Sequence, residues 1–227
     1  MNKKENLPRV ETKFVCNHMI GHSLYMFFKK HGFVRAYEDR NVHSVYFDDC
    51  FLTSAQDNLA GITPRSKLRF RWYSDTSLNA FGWRFEEKIK KDFLGYKNVF
   101  EINDPIKKII NTDLVTKANS IKIKCRTGNV NNLKPILFCA YKRSYFENRA
   151  GVRLTIDNNL KFKRVTSIKF GDGTNGLLMS NMILLELKYS LDQLNDVKQI
   201  NRKIPVQASR CSKYLIGLSK TRGMLYI

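Results

Sequence analysis

Residues 67–73 read KLRFRWY, a stretch in which cationic and apolar side chains alternate. Successive side chains of a β-strand point to opposite faces of the sheet, so Lys67, Arg69 and Arg71 share one face. The apolar side chains between them share the other face. A single strand of this kind is typical of any sheet with one solvated face. On its own it does not distinguish a solvent-facing surface from a charged interior.

Five other segments repeat this alternation with unusual polar faces. Solvent faces of ordinary strands usually carry Thr, Ser and mixed charges, whereas these carry mostly cations with a few carboxylates. Their polar sets are Arg9, Glu11 and Lys13; Glu86, Lys88 and Lys90; Tyr141, Arg143 and Tyr145; Arg153, Thr155 and Asp157; and Glu186 with Lys188. Closing the sheet would turn all of these faces inward. We therefore predict a mainly β (α+β) fold: a closed antiparallel β-barrel tunnel of about eight strands, with helices packed outside.

Apolar periodicity and turn residues predict the individual elements. Strands are expected at 9–15, 42–48, 65–73, 83–91, 94–102, 135–147, 150–157, 161–170 and 181–190. Helices are expected at 17–31, 53–60, 104–110, 191–203 and 209–219. Asn17 is a candidate N-cap and Gly61 a candidate helix stop. No repeat or linker divides the chain, so we expect a single domain over residues 1–227.

The amino-acid composition indicates what kind of partner the chain binds and in which compartment it works. The chain has 227 residues, of which 43% are hydrophobic, and a formal net charge of +20. Such a charge predicts a polyanionic partner, and the cations should repel one another until that partner binds. The five cysteines include no CxxC pair. This argues against a disulfide framework or a structural zinc site and favours a reducing, cytoplasmic location.

Eight segments in order carry a resemblance to a known family. They are RVETKF, HSVYFDD, KLRFRWY, FEEKIKK, YKRSYFE, VRLTID, LLELKYS and SRCSKYLIGL, and they span nearly the whole chain. In them the sequence resembles the VTC domain, the polyphosphate polymerase module of the vacuolar transporter chaperone complex, which also occurs as a stand-alone bacterial protein. That domain is one of the triphosphate tunnel metalloenzymes, relatives of the CYTH proteins. The resemblance implies a cytoplasmic enzyme. It also leaves open a location at the inner face of a membrane and association with a membrane protein.

The resemblance also implies roles for individual residues. The candidates for catalysis are Arg69, Arg71, Lys88, Arg143, Arg153 and Glu186. Those for substrate binding are Lys13, Lys67, Lys188, Arg210, Ser212 and Lys213. Glu186 occupies the position of the family's metal-binding glutamate, so Mn²⁺ or Mg²⁺ is the expected cofactor. Guanidinium groups bind phosphate oxygens in pairs, and a carboxylate supplies the hard oxygen ligand that these ions prefer.

The reaction that the resemblance implies is transfer of the γ-phosphate of ATP to a growing inorganic polyphosphate chain. ATP and polyphosphate are then the partners, and no specific nucleic acid is expected. Hydrolases of this superfamily open with ExExK, whereas this chain has Arg9, Glu11 and Lys13, which favours the polymerase. One alternative is a tunnel triphosphatase that transfers phosphate to water. Another is a non-catalytic module that binds polyphosphate or RNA, which would have no need for Glu186.

Overall fold

The computed structural model describes residues 10–74, 80–102, 115–116, 132–165 and 178–223. These residues form nine strands and four helices. The strands are β1 (Val10–Cys16), β2 (Val34–Asp48), β3 (Arg65–Ser74), β4 (Ala80–Lys91), β5 (Leu94–Glu101), β6 (Lys134–Glu147), β7 (Arg153–Arg164), β8 (Leu178–Ser180) and β9 (Ile183–Tyr189). The helices are α1 (His18–Lys30), α2 (Thr53–Ala60), α3 (Leu194–Asn201) and α4 (Lys213–Arg222). None of these helices is long and apolar enough to cross a membrane.

Most element predictions are confirmed, and the differences have local causes. Asn17 caps α1 as expected, because its Oδ1 accepts a hydrogen bond from the Ile20 amide at 3.0 Å. The strand expected at 150–157 and the described part of the one expected at 161–170 form a single strand, β7, while residues 166–170 lie outside the described residues. A register shift opposite β6 and a φ of 53° at Asn159 carry the chain through a bulge where the sequence suggested a turn. The helix expected at 104–110 lies outside the described residues.

The strands form one antiparallel sheet in the order β1-β9-β7-β6-β2-β3-β4-β5, with β8 pairing to β7 beside this path. The predicted closed barrel is wrong, because β1 and β5 are the two edges and no strand pairing joins them among the described residues. The sheet is nevertheless curled. Lys88 Nζ on β4 lies 2.7 Å from Glu11 Oε2 on β1, although these strands are near opposite ends of the order. Side-chain alternation sets the faces, whereas closure depends on strand tilt and stagger, which alternation does not specify.

The convex face of this sheet is apolar and supports the charged face from behind. Helices α1 and α3 pack on β1, β9 and β7 through a cluster that includes Phe14, Leu24 and Leu185. A second cluster on β2, β3 and β4 contains Phe70 and Trp72. Burying each such side chain contributes about 1.5–3 kcal/mol, and Phe70 is fully buried directly beside Arg69 in sequence. The apolar face thereby fixes the direction of the arginines.

Helix α4 lies on the concave face, which corrects the expectation that every helix packs outside. Its buried side chains contact Tyr46 and Leu137, which share a face with Arg69 according to the register of β3, β2 and β6. At Gly217 an added Cβ would lie 2.3 Å from Leu137, so only glycine allows the helix to come this close. Because α4 sits here, its first residue, Lys213, reaches the charged part of the face.

Candidate functional site

A buried carboxylate, Glu86, gathers four of the cations on the concave face. Arg69 Nη2 and Arg71 Nη1 lie 2.6 and 3.5 Å from its Oε2, and Arg84 Nε and Lys97 Nζ lie 3.0 and 3.4 Å from its Oε1. Burial alone would raise the pKa of Glu86, but these positive charges outweigh it and hold that pKa well below its usual range. Four cations around one carboxylate leave a strong positive excess for an anionic ligand.

The side chain of Arg71 is fixed by further contacts. Its Nε donates to Ser44 Oγ at 3.2 Å, and its Nη2 donates to the Tyr141 hydroxyl at 3.0 Å. The sequence predicts that the cations repel one another until a polyanion binds. The structure corrects this expectation, because the carboxylate of Glu86 lies between Arg69 and Arg71. The arginines are thus held in place before any ligand arrives, which lowers the entropic cost of binding.

Asp157 organises a second pair of cations. Arg143 donates to both of its carboxylate oxygens, at 2.5 and 2.7 Å, and Lys213 Nζ lies 2.6 Å from its Oδ2. Both cations also lie over the ring of Tyr141. Burial by itself would raise the pKa of Asp157, but Arg143 and Lys213 lower it to about 2. The carboxyl is therefore ionised at neutral pH and keeps both cations charged.

A third group lies where β1 and β9 pair. Glu11 is opposite Lys188, and Lys13 is opposite Glu186 in the register. Lys188 Nζ lies 3.1 Å from Glu186 Oε1, and Lys88 Nζ lies 2.7 Å from Glu11 Oε2. Although burial opposes ionisation, Lys188, Lys13 and Lys88 hold the pKa of Glu186 well below its usual range. Both carboxylates are thus ionised and available as hard oxygen ligands.

The donor set fits a divalent cation that binds together with phosphate. Within the described ranges no group of three or more His, Cys, Asp and Glu side chains is arranged to hold a metal. Glu186 and Glu11 are close enough for each to affect the ionisation of the other. Mg²⁺ and Mn²⁺ prefer oxygen ligands, and Mg²⁺ usually takes one or two carboxylates plus substrate phosphates and water. These two glutamates supply that number.

The other candidates lie around this site or away from it. Lys67 Nζ donates to Ser212 Oγ at 3.0 Å, so both are at the charged face. The side chain of Arg153, at the start of β7, is 49% exposed and its Nε lies 3.8 Å from Glu147. Arg210 is exposed and close to Gly61, at the end of α2. The charged face therefore brings ten of the twelve candidates together, with Arg153 at its rim and Arg210 beyond it.

Sequence reasoning missed several residues of this face. Arg84 lies within the strand expected at 83–91 and on the same face as Glu86, so counting it in the polar set of that strand would have found it. Lys97 lies on β5, whose sequence LGYKNVFE has no comparable alternation of charge. Asp157 was placed on the correct face, but its contact with Lys213 joins β7 to α4 and has no local signal.

The ionisation of Lys88 gives a prediction about pH. Burial lowers the pKa of Lys88 to about 8, although Glu11 partly offsets this effect. A ligand that requires the protonated lysine loses up to about tenfold in affinity per pH unit above that value. The affinity for tripolyphosphate should therefore fall between pH 8 and 9. The Lys88→Arg variant, which stays charged, should show a smaller fall in isothermal titration calorimetry.

Comparing the two proteins cancels the ionisation of tripolyphosphate itself. Lys29→Arg on the exposed surface of α1 is the matched control and should behave as the wild type. Equal pH dependence in the wild type and in Lys88→Arg would rule out Lys88 as the titrating group.

Comparison with known proteins bears on the fold and on the family of this chain. No curated protein matches the chain. The structure of PH1819 from Pyrococcus horikoshii OT3 is similar, with a TM-score of 0.57, 16% identity, and coverage of 93% of this chain and 99% of that one. HpAC1 from Hippeastrum, a proposed adenylyl cyclase described as having a dominant triphosphatase activity, gives a TM-score of 0.54, 14% identity, and coverage of 95% and 97%.

A proposed adenylate cyclase from Bacillus halodurans gives a TM-score of 0.52 at 11% identity, and covers 92% of this chain and 95% of that one. At these identities the likeness concerns the fold. The family is established by sequence, because the model of the VTC domain matches residues 4–222. The resemblance carried by the eight segments is thus confirmed, and the chain belongs to the VTC domain family.

Proposed function

We propose that this protein is a metal-dependent polyphosphate polymerase that transfers the γ-phosphate of ATP to a growing polyphosphate chain along the concave face of the sheet. The observation that carries the proposal is the excess of fixed cations on this face. Glu86 has four cations within 4 Å, and Asp157 has two more, in a chain of the VTC domain family. The phosphates of a polyphosphate chain would neutralise the positive charge that Glu86 and Asp157 do not.

This chemistry requires positioning and charge neutralisation more than a protein nucleophile. A terminal phosphate oxygen of the acceptor, anionic at neutral pH, attacks the γ-phosphorus of ATP. The bond between that phosphorus and the oxygen bridging to the β-phosphate breaks, and ADP leaves with the electron pair. Arg69, Arg71 and Arg143 would hold the phosphate oxygens in line. A bound divalent cation, held by Glu186 and Glu11, would supply further charge neutralisation.

A triphosphatase is the second candidate, because the similar structure of HpAC1 is described with that activity. The two reactions differ only in the acceptor, which is phosphate in one and water in the other. A non-catalytic binding module is the third. The ionised Glu186 argues against it, since a carboxylate in a basic site weakens polyanion binding unless a metal uses it.

The products formed from ATP distinguish these functions. With ATP and Mn²⁺ or Mg²⁺, we expect ADP and a ladder of polyphosphate chains on a polyacrylamide gel, and no turnover when the metal is chelated. Release of orthophosphate in an amount equal to the ADP formed, without a ladder, would contradict the polymerase and support the triphosphatase. Binding of polyphosphate without any release of ADP would leave only the binding module.

A further inference from the structure

One end of the concave face carries a cluster of aromatic rings around an arginine. We call it the aromatic mouth and define it as Tyr37, Arg40, Tyr73, Phe81 and Tyr145. In the pairing of β2 with β6, Arg40 is opposite Arg143 and Tyr37 is opposite Tyr145. Directly paired residues of neighbouring strands share a face, so the cluster is on the same face as the charged site.

The rings surround the guanidinium from several sides. Arg40 Cζ lies 5.9 Å from the ring centroids of Tyr37 and Tyr145 and 6.0 Å from those of Tyr73 and Phe81. Tyr73 and Phe81 are stacked at 5.9 Å with an interplanar angle of 26°. Cation–π contacts at this distance are favourable but modest.

The backbone of β4 is shaped to place Phe81 here. The register with β3 shifts between Arg71 and Tyr73, and Gly82 has a φ of 66°. A Cβ at Gly82 would lie 3.1 Å from the Tyr73 ring. A bulge of this kind re-aims a side chain, and bulges are frequent at the rims of curled sheets and next to active sites.

Two of the rings are open to solvent although they belong to a cluster. Tyr37 is 55% exposed and Phe81 is 41% exposed. Exposed apolar surface that is rimmed by polar residues marks sites for ligands or partners. A purely structural role for the cluster would be better served by burying these rings.

The aromatic mouth is continuous with the charged site. Arg84 Cζ lies 4.8 Å from the centroid of the Tyr73 ring, and its Nη2 donates a hydrogen bond to the Tyr73 hydroxyl. The same Arg84 is one of the cations on Glu86. The face thus offers flat, exposed rings followed by guanidinium groups. A ligand that matches it has an aromatic ring system at one end and phosphates at the other.

We propose that the aromatic mouth binds the base of the nucleoside triphosphate and directs its phosphates toward Arg84, Arg71 and Arg143. This inference rests on the proposed function, in which a nucleotide is the phosphate donor. It also gives the site a direction. The mouth lies near the start of β2, whereas α4 covers the face near the other end of that strand, where Tyr214 donates a hydrogen bond to Asp48.

The test compares a ligand that has a base with one that lacks it. Isothermal titration calorimetry would measure the affinity of the non-hydrolysable β,γ-imido analogue of ATP and of inorganic tripolyphosphate. Stacking a base on an aromatic side chain changes affinity by roughly 5- to 150-fold per ring lost. We therefore expect Phe81→Ala and Tyr37→Ala each to lower the affinity for the ATP analogue by that factor. The affinity for tripolyphosphate should change by less than about twofold, because the substituted residue does not contact this ligand and distant sites couple only weakly.

Matched variants separate stacking from folding. Phe93→Ala removes another exposed phenylalanine, 61% exposed near the β4–β5 turn, and should change neither affinity. Phe81→Trp keeps a flat ring and should restore binding of the analogue. Equal losses for both ligands, or no loss for either, would overturn the base site. A wild type that binds both ligands but forms no polymer would overturn the proposed polymerase and leave the base site standing.

Discussion

Glu186→Gln is expected to lower metal-dependent turnover by at least 10²–10³-fold, on the order of the cost of losing one preorganised electrostatic group. The substitution keeps the size of the side chain and removes its charge. Glu186 is 8% exposed and ionised, with Lys188 Nζ at 3.1 Å. It is one of two carboxylates on this part of the face that could ligate a divalent cation. Phosphate release or ADP formation at saturating metal would measure the loss.

Binding of polyphosphate should survive this substitution, because removing a negative charge from a basic site does not repel an anion. The affinity for tripolyphosphate without metal should therefore be unchanged or tighter, and this separates a role in turnover from loss of the fold. Glu38→Gln, an exposed glutamate on β2, is the matched control and should keep full activity. A folded Glu186→Gln protein with near-normal turnover would remove Glu186 from the mechanism.

The faces of the strands could be predicted from the sequence, but the edges of the sheet could not. In β3, alternation correctly separated Arg69 and Arg71 from Phe70 and Trp72, because the period of a strand is fixed by its backbone. Closure depends on pairing between β1 and β5, which are distant in sequence. No residue pattern encodes the stagger that such pairing needs, so the expectation of a closed barrel had no local support.

Partners within the site were harder to predict than its members. The cations of the strands were found because they alternate with apolar residues, and Lys213 was found through the family resemblance. Several of their carboxylate partners come from other elements, as when Lys213 of α4 reaches Asp157 of β7. The position of α4 on the concave face depends on Gly217, which reads in sequence as an unfavourable residue inside a helix. Long-range contacts of this kind decide which charges remain available to a ligand.

Tripolyphosphate is expected to stabilise the folded protein strongly, because it binds an arrangement of cations that exists only in the fold. At a hundredfold excess over the dissociation constant, linkage gives about 2.7 kcal/mol. For a chain of this size, that corresponds to a rise in the melting temperature of roughly 5–10 °C. Added salt should reduce the rise, since it screens the charges. Differential scanning fluorimetry with and without tripolyphosphate would measure it.

The double variant Arg69→Ala, Arg71→Ala should lose nearly all of this rise, because it removes two guanidinium groups from the centre of the charged face. It should also lower the melting temperature of the free protein, since Glu86, which is 0% exposed, loses two of its four cations. Adding Glu86→Gln removes that unpaired charge and keeps a folded protein for the measurement. The double variant Lys29→Ala, Lys30→Ala changes two exposed residues of α1 and lowers the net charge by the same amount. It should keep the full rise in melting temperature on adding tripolyphosphate. If tripolyphosphate stabilised the arginine variants as much as the wild type, or if duplex DNA worked as well, the anion would bind the general basic surface and not this face.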